Sequence, residues 1–149
     1  MSGDLSHLYQ EIILEHSRRP RNSGTLKEVT GKASGNNPLC GDRITIYLNI
    51  DGDRIADAAF EARGCAISVA AASLMTQRLK GQTVGDAEDT LSRYHAQLTD
   101  EDPPELDSDD ELASLVGVRE FPTRIKCATL PWETLRAALL GAKDDVTTE

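Results

Sequence analysis

Residues 43–62, RITIYLNIDGDRIADAAFEA, restrict the fold more than any other stretch of this chain. Ile44, Ile46, Leu48 and Ile50 alternate with polar or aromatic neighbours, the period of a strand with one buried face. Asp51 and Gly52 fit a two-residue turn, after which the chain returns through Ile55, Ala58, Phe60 and Ala62. Ile55 is out of step with the other three, which predicts a bulge in the return strand. An antiparallel hairpin follows from the pattern. Upstream, EVTGKASGN (residues 28–36) offers a further strand.

Helical spacing governs most of the remainder. Leu5, Leu8, Tyr9, Ile12 and Ile13 recur on one face behind Asp4 as a cap, and RRPRN with Pro20 ends the pattern. CAISVAAASLMTQRLKG places small and apolar residues at helical intervals and stops at Gly81, which suits a left-handed cap. TVGDAEDTLSRYHAQL reads as another helix, and Ser108 and Glu111 stand at capping-box spacing. ATLPWETLRAALLG reads as a last helix, with Pro131 in its first turn and Cys127 at its mouth. Strands followed by helices predict an α+β fold: a small antiparallel sheet of about three strands with helices packed on one face. A chain of 149 residues that is 39% apolar is the size of one domain, residues 1–149.

A net charge of −9 argues against nucleic acid and anionic lipid as partners. AISVAAASLM, the most apolar long stretch, is far short of the roughly 18 residues of a membrane span, and MSGDLSHLYQ carries no secretory pattern. The expectation is a soluble, cytoplasmic protein with reduced thiols. DEDPPELDSDDE, residues 100–111, reads as a solvated acidic loop, with a docking surface for a basic partner as the other reading.

The three cysteines are Cys40, Cys65 and Cys127. Cys40 precedes Gly41 and Asp42 in a loop; Cys65 follows Gly64 and opens a helix; Cys127 is expected to open another. Helix N-termini favour thiolate over thiol, and thus both nucleophilicity and metal binding. Three thiolates and the Asp42 carboxylate would make a tetrahedral set of the kind Zn²⁺ accepts. Its excess negative charge calls for a nearby cation, Arg124 or Lys126. Spacing alone does not decide the matter: there is no CxxC pair, and scattered cysteines are more often small buried hydrophobes than ligands. What favours ligands is that each cysteine lies beside glycine, a charge or both. A cysteine-nucleophile hydrolase needs a histidine near the thiol. No motif ties His7, His16 or His95 to one, and they read as surface or helix-end residues. Trp132 and Tyr9 read as core aromatics, and Ser68 and Ser73 as residues that let the alanine-rich helix pack closely.

NNPLCGD, FEARGCAISVAAASLMT and FPTRIKCATLPW resemble the three cysteine-bearing segments of the IscU/NifU-like iron–sulfur assembly proteins, the SufU branch in particular. LYQEIILEHSRRPRN and the hairpin LNIDGDRIADAAFEARGC extend the resemblance over nearly the whole chain. It carries a ligand set onto Cys40, Asp42, Cys65 and Cys127. Lys126 stands where IscU has histidine, and FPTRI where IscU has LPPVK, which speaks against handling by an Hsc-type chaperone. The acid-rich residues 95–116 resemble the insertion that separates SufU-type proteins from the IscU type. The resemblance implies a zinc-bound acceptor of persulfide sulfur from a SufS-type cysteine desulfurase. Such a protein stimulates the desulfurase and relays sulfur to recipient iron–sulfur assembly proteins, and is not a conventional turnover enzyme. Cys40 is the expected acceptor: its loop is free to move, and in SufU-type proteins a partner histidine is held to replace this cysteine on zinc during docking. The alternative is a scaffold on which iron and sulfide are built into a [2Fe–2S] cluster on the same residues and passed to apoproteins.

Overall fold

The computed structural model describes residues 11–38, 41–99, 115, 122–140 and 146–147, with 122–124 and 146–147 as backbone only. Strands β1 (Gly31–Asn37), β2 (Asp42–Asp51) and β3 (Arg54–Arg63) form the expected antiparallel sheet. A two-residue β4 (Val146–Thr147) adds to β1 in parallel, giving the order β3-β2-β1-β4. The helices are α1 (residues 11–18), α2 (Ala66–Leu79), α3 (Val84–Thr99) and α4 (Pro122–Leu140).

Register follows the alternation. Ala33 faces Ile46, which faces Phe60, and Leu48 faces Ala58, so one row of each strand points to the same side. That side is covered by α2 and α4, and Ile46, Leu48 and Phe60 are fully buried there. Each such side chain contributes about 1.5–3 kcal/mol of burial. The opposite face is polar: Ser34 Oγ meets Thr45 Oγ1 at 3.0 Å, and Tyr47 donates to the Glu61 carboxylate. That bond raises the Tyr47 phenol above its ordinary range. Gly31 lets α4 lie close on β1, since a Cβ there would stand 2.8 Å from the Ala138 carbonyl oxygen.

The predicted bulge is present: Asn49 pairs with Asp57 but Ile50 with Ile55, leaving Ala56 as the extra residue and Ile55 buried. The turn sits one step later than expected. Asp51 pairs with Arg54, so the loop is Gly52–Asp53. In α3, Ala87, Leu91, Tyr94 and Leu98 form the buried stripe, and the Tyr94 hydroxyl donates to the Ala128 carbonyl at 3.2 Å. Burial pushes its phenol far above the ordinary value. Of the acid-rich residues 95–116, residues 95–99 are the end of α3 and Leu115 is buried in the core. The others, with the capping pair Ser108 and Glu111, lie outside the described residues, as do Asp4, Leu5, His7, Leu8 and Tyr9 of the first helix.

Two expectations need correction. The last helix begins at Pro122, so Pro131 lies in its interior and Cys127 five positions past its start rather than at its mouth. An interior proline leaves the carbonyl four residues earlier, here that of Cys127, without its helical donor. Ser68 Oγ supplies the missing bond at 3.0 Å, which is why the helix runs through. The other correction concerns His16, which is buried rather than on the surface, with Nδ1 2.7 Å from Ser73 Oγ.

Candidate metal centre

Asp42 occupies the same alternating row as Ile44, Ile46 and Leu48, so the pleat that buries those residues turns its carboxylate towards the helices. It is 1% exposed. Cys65 is the N-cap of α2, extended at φ −71° and ψ 161°, and its thiol makes no capping bond. Its backbone N–H instead donates to Asp42 Oδ1 at 2.8 Å, and its Sγ lies 3.8 Å from Oδ2. The N-terminus of α2 thus holds one carboxylate oxygen and leaves the other facing the sulfur. Gly64 makes room for this arrangement. Its φ of +147° suits glycine, and a Cβ would fall 2.1 Å from Asp42 Oδ1.

Cys127 enters from α4 and is 0% exposed. Its sulfur, the Cys65 sulfur and an Asp42 oxygen all lie within 4.8 Å of one another. Sulfurs around a tetrahedral zinc stand about 3.8 Å apart, so the three donors are within a small adjustment of a shared ion. The donor set, two soft sulfurs and a carboxylate on a buried surface, has the chemistry zinc selects. Cys65, at its helix cap, feels the positive end of the α2 dipole, whereas Cys127 is already in the second turn of α4. Cys40 and the Arg124 side chain lie outside the described residues.

Two arginines that the sequence did not single out stand at this end of the sheet. Arg43 and Arg63 follow Asp42 and precede Gly64, are cross-strand partners, and are both exposed on the polar face. Like charges directly opposite on a sheet are unfavourable, and more conspicuous in a chain of net charge −9. Lys126 is exposed as well. Ser68 was read only as a close-packing residue and its bond to Cys127 was missed; the signal for it was Pro131 standing four residues after Cys127, which announces a carbonyl in need of a donor. His95, by contrast, stacks on Trp132 at 4.3 Å between ring centroids.

The NifU-like N-terminal domain family matches residues 8–141. The chain belongs to this family. Within the NifU-like group it is similar to the zinc-dependent sulfurtransferase SufU of Bacillus subtilis, 39% identical over 134 residues that cover 90% of each chain. It is also similar to the iron–sulfur cluster assembly scaffold protein IscU of Streptococcus pyogenes, 37% identical over 91% of this chain and 84% of that one. Among solved structures it resembles a protein of Fervidobacterium islandicum named as a candidate scaffold of the SUF system for iron–sulfur cluster assembly. That likeness has a TM-score of 0.80 at 32% identity, over 89% of this chain and 98% of the other. The NifU-like fold and the expected α+β architecture therefore coincide. Among the described residues no helix is long and apolar enough to cross a membrane.

Proposed function

We propose that this chain holds zinc on Cys40, Asp42, Cys65 and Cys127 and accepts persulfide sulfur from a SufS-type cysteine desulfurase for iron–sulfur cluster biogenesis. The observation that carries the proposal is the convergence of Asp42, Cys65 and Cys127 donors within 4.8 Å. Cys40 is two positions before Asp42 in the sequence, and two residues span about 7 Å at most, so chain length permits it to join the same ion. The similarity to the zinc-dependent relative supports the choice of ion.

When bound, zinc would supply the positive charge that keeps its sulfur ligands deprotonated and the four donors together. The chain's residues divide the remaining work. Asp42 is anchored by the Cys65 N–H, and Cys65 and Cys127 are fixed by α2 and α4. Cys40 is the cysteine outside those helices, and it lies next to Gly41. Its thiolate attacks the outer sulfur of the partner's persulfide. A new S–S bond forms to Cys40, the partner's S–S bond breaks, and the electron pair leaves on the partner's cysteine as thiolate. One persulfide is consumed and one made, so no oxidant or reductant is required. Arg43 and Arg63 add positive charge on the rim at this end of the sheet.

With radiolabelled cysteine and the desulfurase, the wild-type chain acquires label and Cys40→Ala does not. Labelling of Cys40→Ala at the wild-type rate would overturn the assignment. A scaffold for a [2Fe–2S] cluster is the second reading, favoured by the similarity to the IscU protein of Streptococcus pyogenes. Anaerobic purification separates the two: labile iron with matching sulfide supports the scaffold, zinc without sulfide the acceptor.

A further inference from the structure

Two helices each bring one sulfur to the donor cluster, Cys65 at the cap of α2 and Cys127 from the second turn of α4. The sulfur separation is therefore only as fixed as the helices are to each other. Threonines inside α2, α3 and α4 hydrogen-bond within their own turn: Thr76 to the Ala72 carbonyl, Thr90 to Asp86, Thr99 to His95 and Thr134 to Leu130. Ser68 does not. It is 2% exposed, lies three residues after Cys65, and sends its hydroxyl across to the carbonyl of Cys127 at 3.0 Å. That carbonyl accepts because Pro131, lacking an N–H, cannot donate to it.

We infer that Ser68 is a positioning residue for the metal centre: its bond straps the first turn of α2 to the Cys127 turn of α4 and sets the distance between the two sulfurs. The inference rests on the zinc reading above. Pro131 opens the acceptor and Ser68 occupies it, so the two residues act as a unit. A purely structural role would consist in satisfying the buried carbonyl. A positioning role requires in addition that the bond run between the two donor-bearing helices.

The two roles separate in a pair of variants of the full chain, read by zinc affinity against a competing chelator and by the sulfur-to-metal charge-transfer band of the cobalt(II)-loaded protein. Ser68→Ala lowers zinc affinity by about 10–100-fold and shifts the cobalt band, whereas Ser68→Thr, which keeps the hydroxyl, stays near wild type. In Ser68→Ala/Pro131→Ala the new N–H at 131 satisfies the Cys127 carbonyl from within α4. The metal-free double variant regains stability, yet its zinc affinity stays low because the strap is still missing. If Ser68→Ala fails to fold, the double variant carries the comparison. Wild-type affinity and an unshifted band in Ser68→Ala, or affinity that recovers along with stability in the double variant, would overturn the inference while leaving the zinc reading intact. A wild-type chain that takes up neither zinc nor cobalt overturns both.

Discussion

The two ends of α2 are finished in opposite ways. From its middle to its C-terminal end, Ser73, Thr76 and Lys80 match donors to acceptors on α1 and the segment that follows it. Ser73 Oγ meets His16 Nδ1 and accepts the Arg21 N–H, Asn22 Nδ2 donates to Thr76 Oγ1, and Lys80 Nζ donates to Asn22 Oδ1. At the N-terminal end, Asp42, Cys65 and Cys127 bring together three groups that are negative or become so on ionisation. Groups of one sign cannot satisfy each other once charged; they are complementary to a cation. One end of the helix is therefore explained by folding, and the other by the cation that the proposed function places there.

The comparison can be broken first at Gly64. Gly64→Ala forces a Cβ into the space of the Asp42 carboxylate at a backbone angle that L residues rarely adopt. A loss of about 3 kcal/mol or more in urea unfolding, together with loss of zinc binding, is expected. Near-wild-type stability would show that the carboxylate has another seat. Ser73→Ala attacks the other end. It removes the hydroxyl that the Arg21 N–H and His16 Nδ1 share and costs about 1–3 kcal/mol, with zinc affinity unchanged. A parallel fall in zinc affinity would mean that the two ends are not separable. The smallest effect belongs to Lys80→Met. Its 3.1 Å ion pair with Asp57 is well exposed on both sides, so the stability change stays below about 1 kcal/mol and shrinks with salt.

What could be read in advance was whatever local period encodes. The hairpin and its bulge were legible because Ile55 breaks step with Ala58 and Phe60, and Asp42 as an inward residue was implicit in its parity with Ile44. The sequence DGD offers two overlapping two-residue turns, and only pairing across the hairpin selects Gly52–Asp53. The start of α4 was misjudged because the cost of an interior proline depends on whether the freed carbonyl finds a donor. Here that donor is Ser68, 59 positions earlier in the chain, beyond any local window. His16 was misplaced for the same reason, its partner Ser73 being 57 positions away. Cys65 and Cys127 stood out as candidate ligands through the company they keep, and Cys127 joins Asp42 and Cys65 from the second turn of α4 rather than from a helix end.

The central claim is that three sulfurs and one aspartate oxygen share an ion. X-ray absorption at the zinc edge, on the full chain as purified, tests it most directly. The expected result is about one zinc per chain, with about three sulfurs near 2.3 Å and one lighter ligand near 2.0–2.2 Å. A chain free of zinc, or a zinc surrounded only by nitrogen and oxygen while all three thiols react freely, would contradict it.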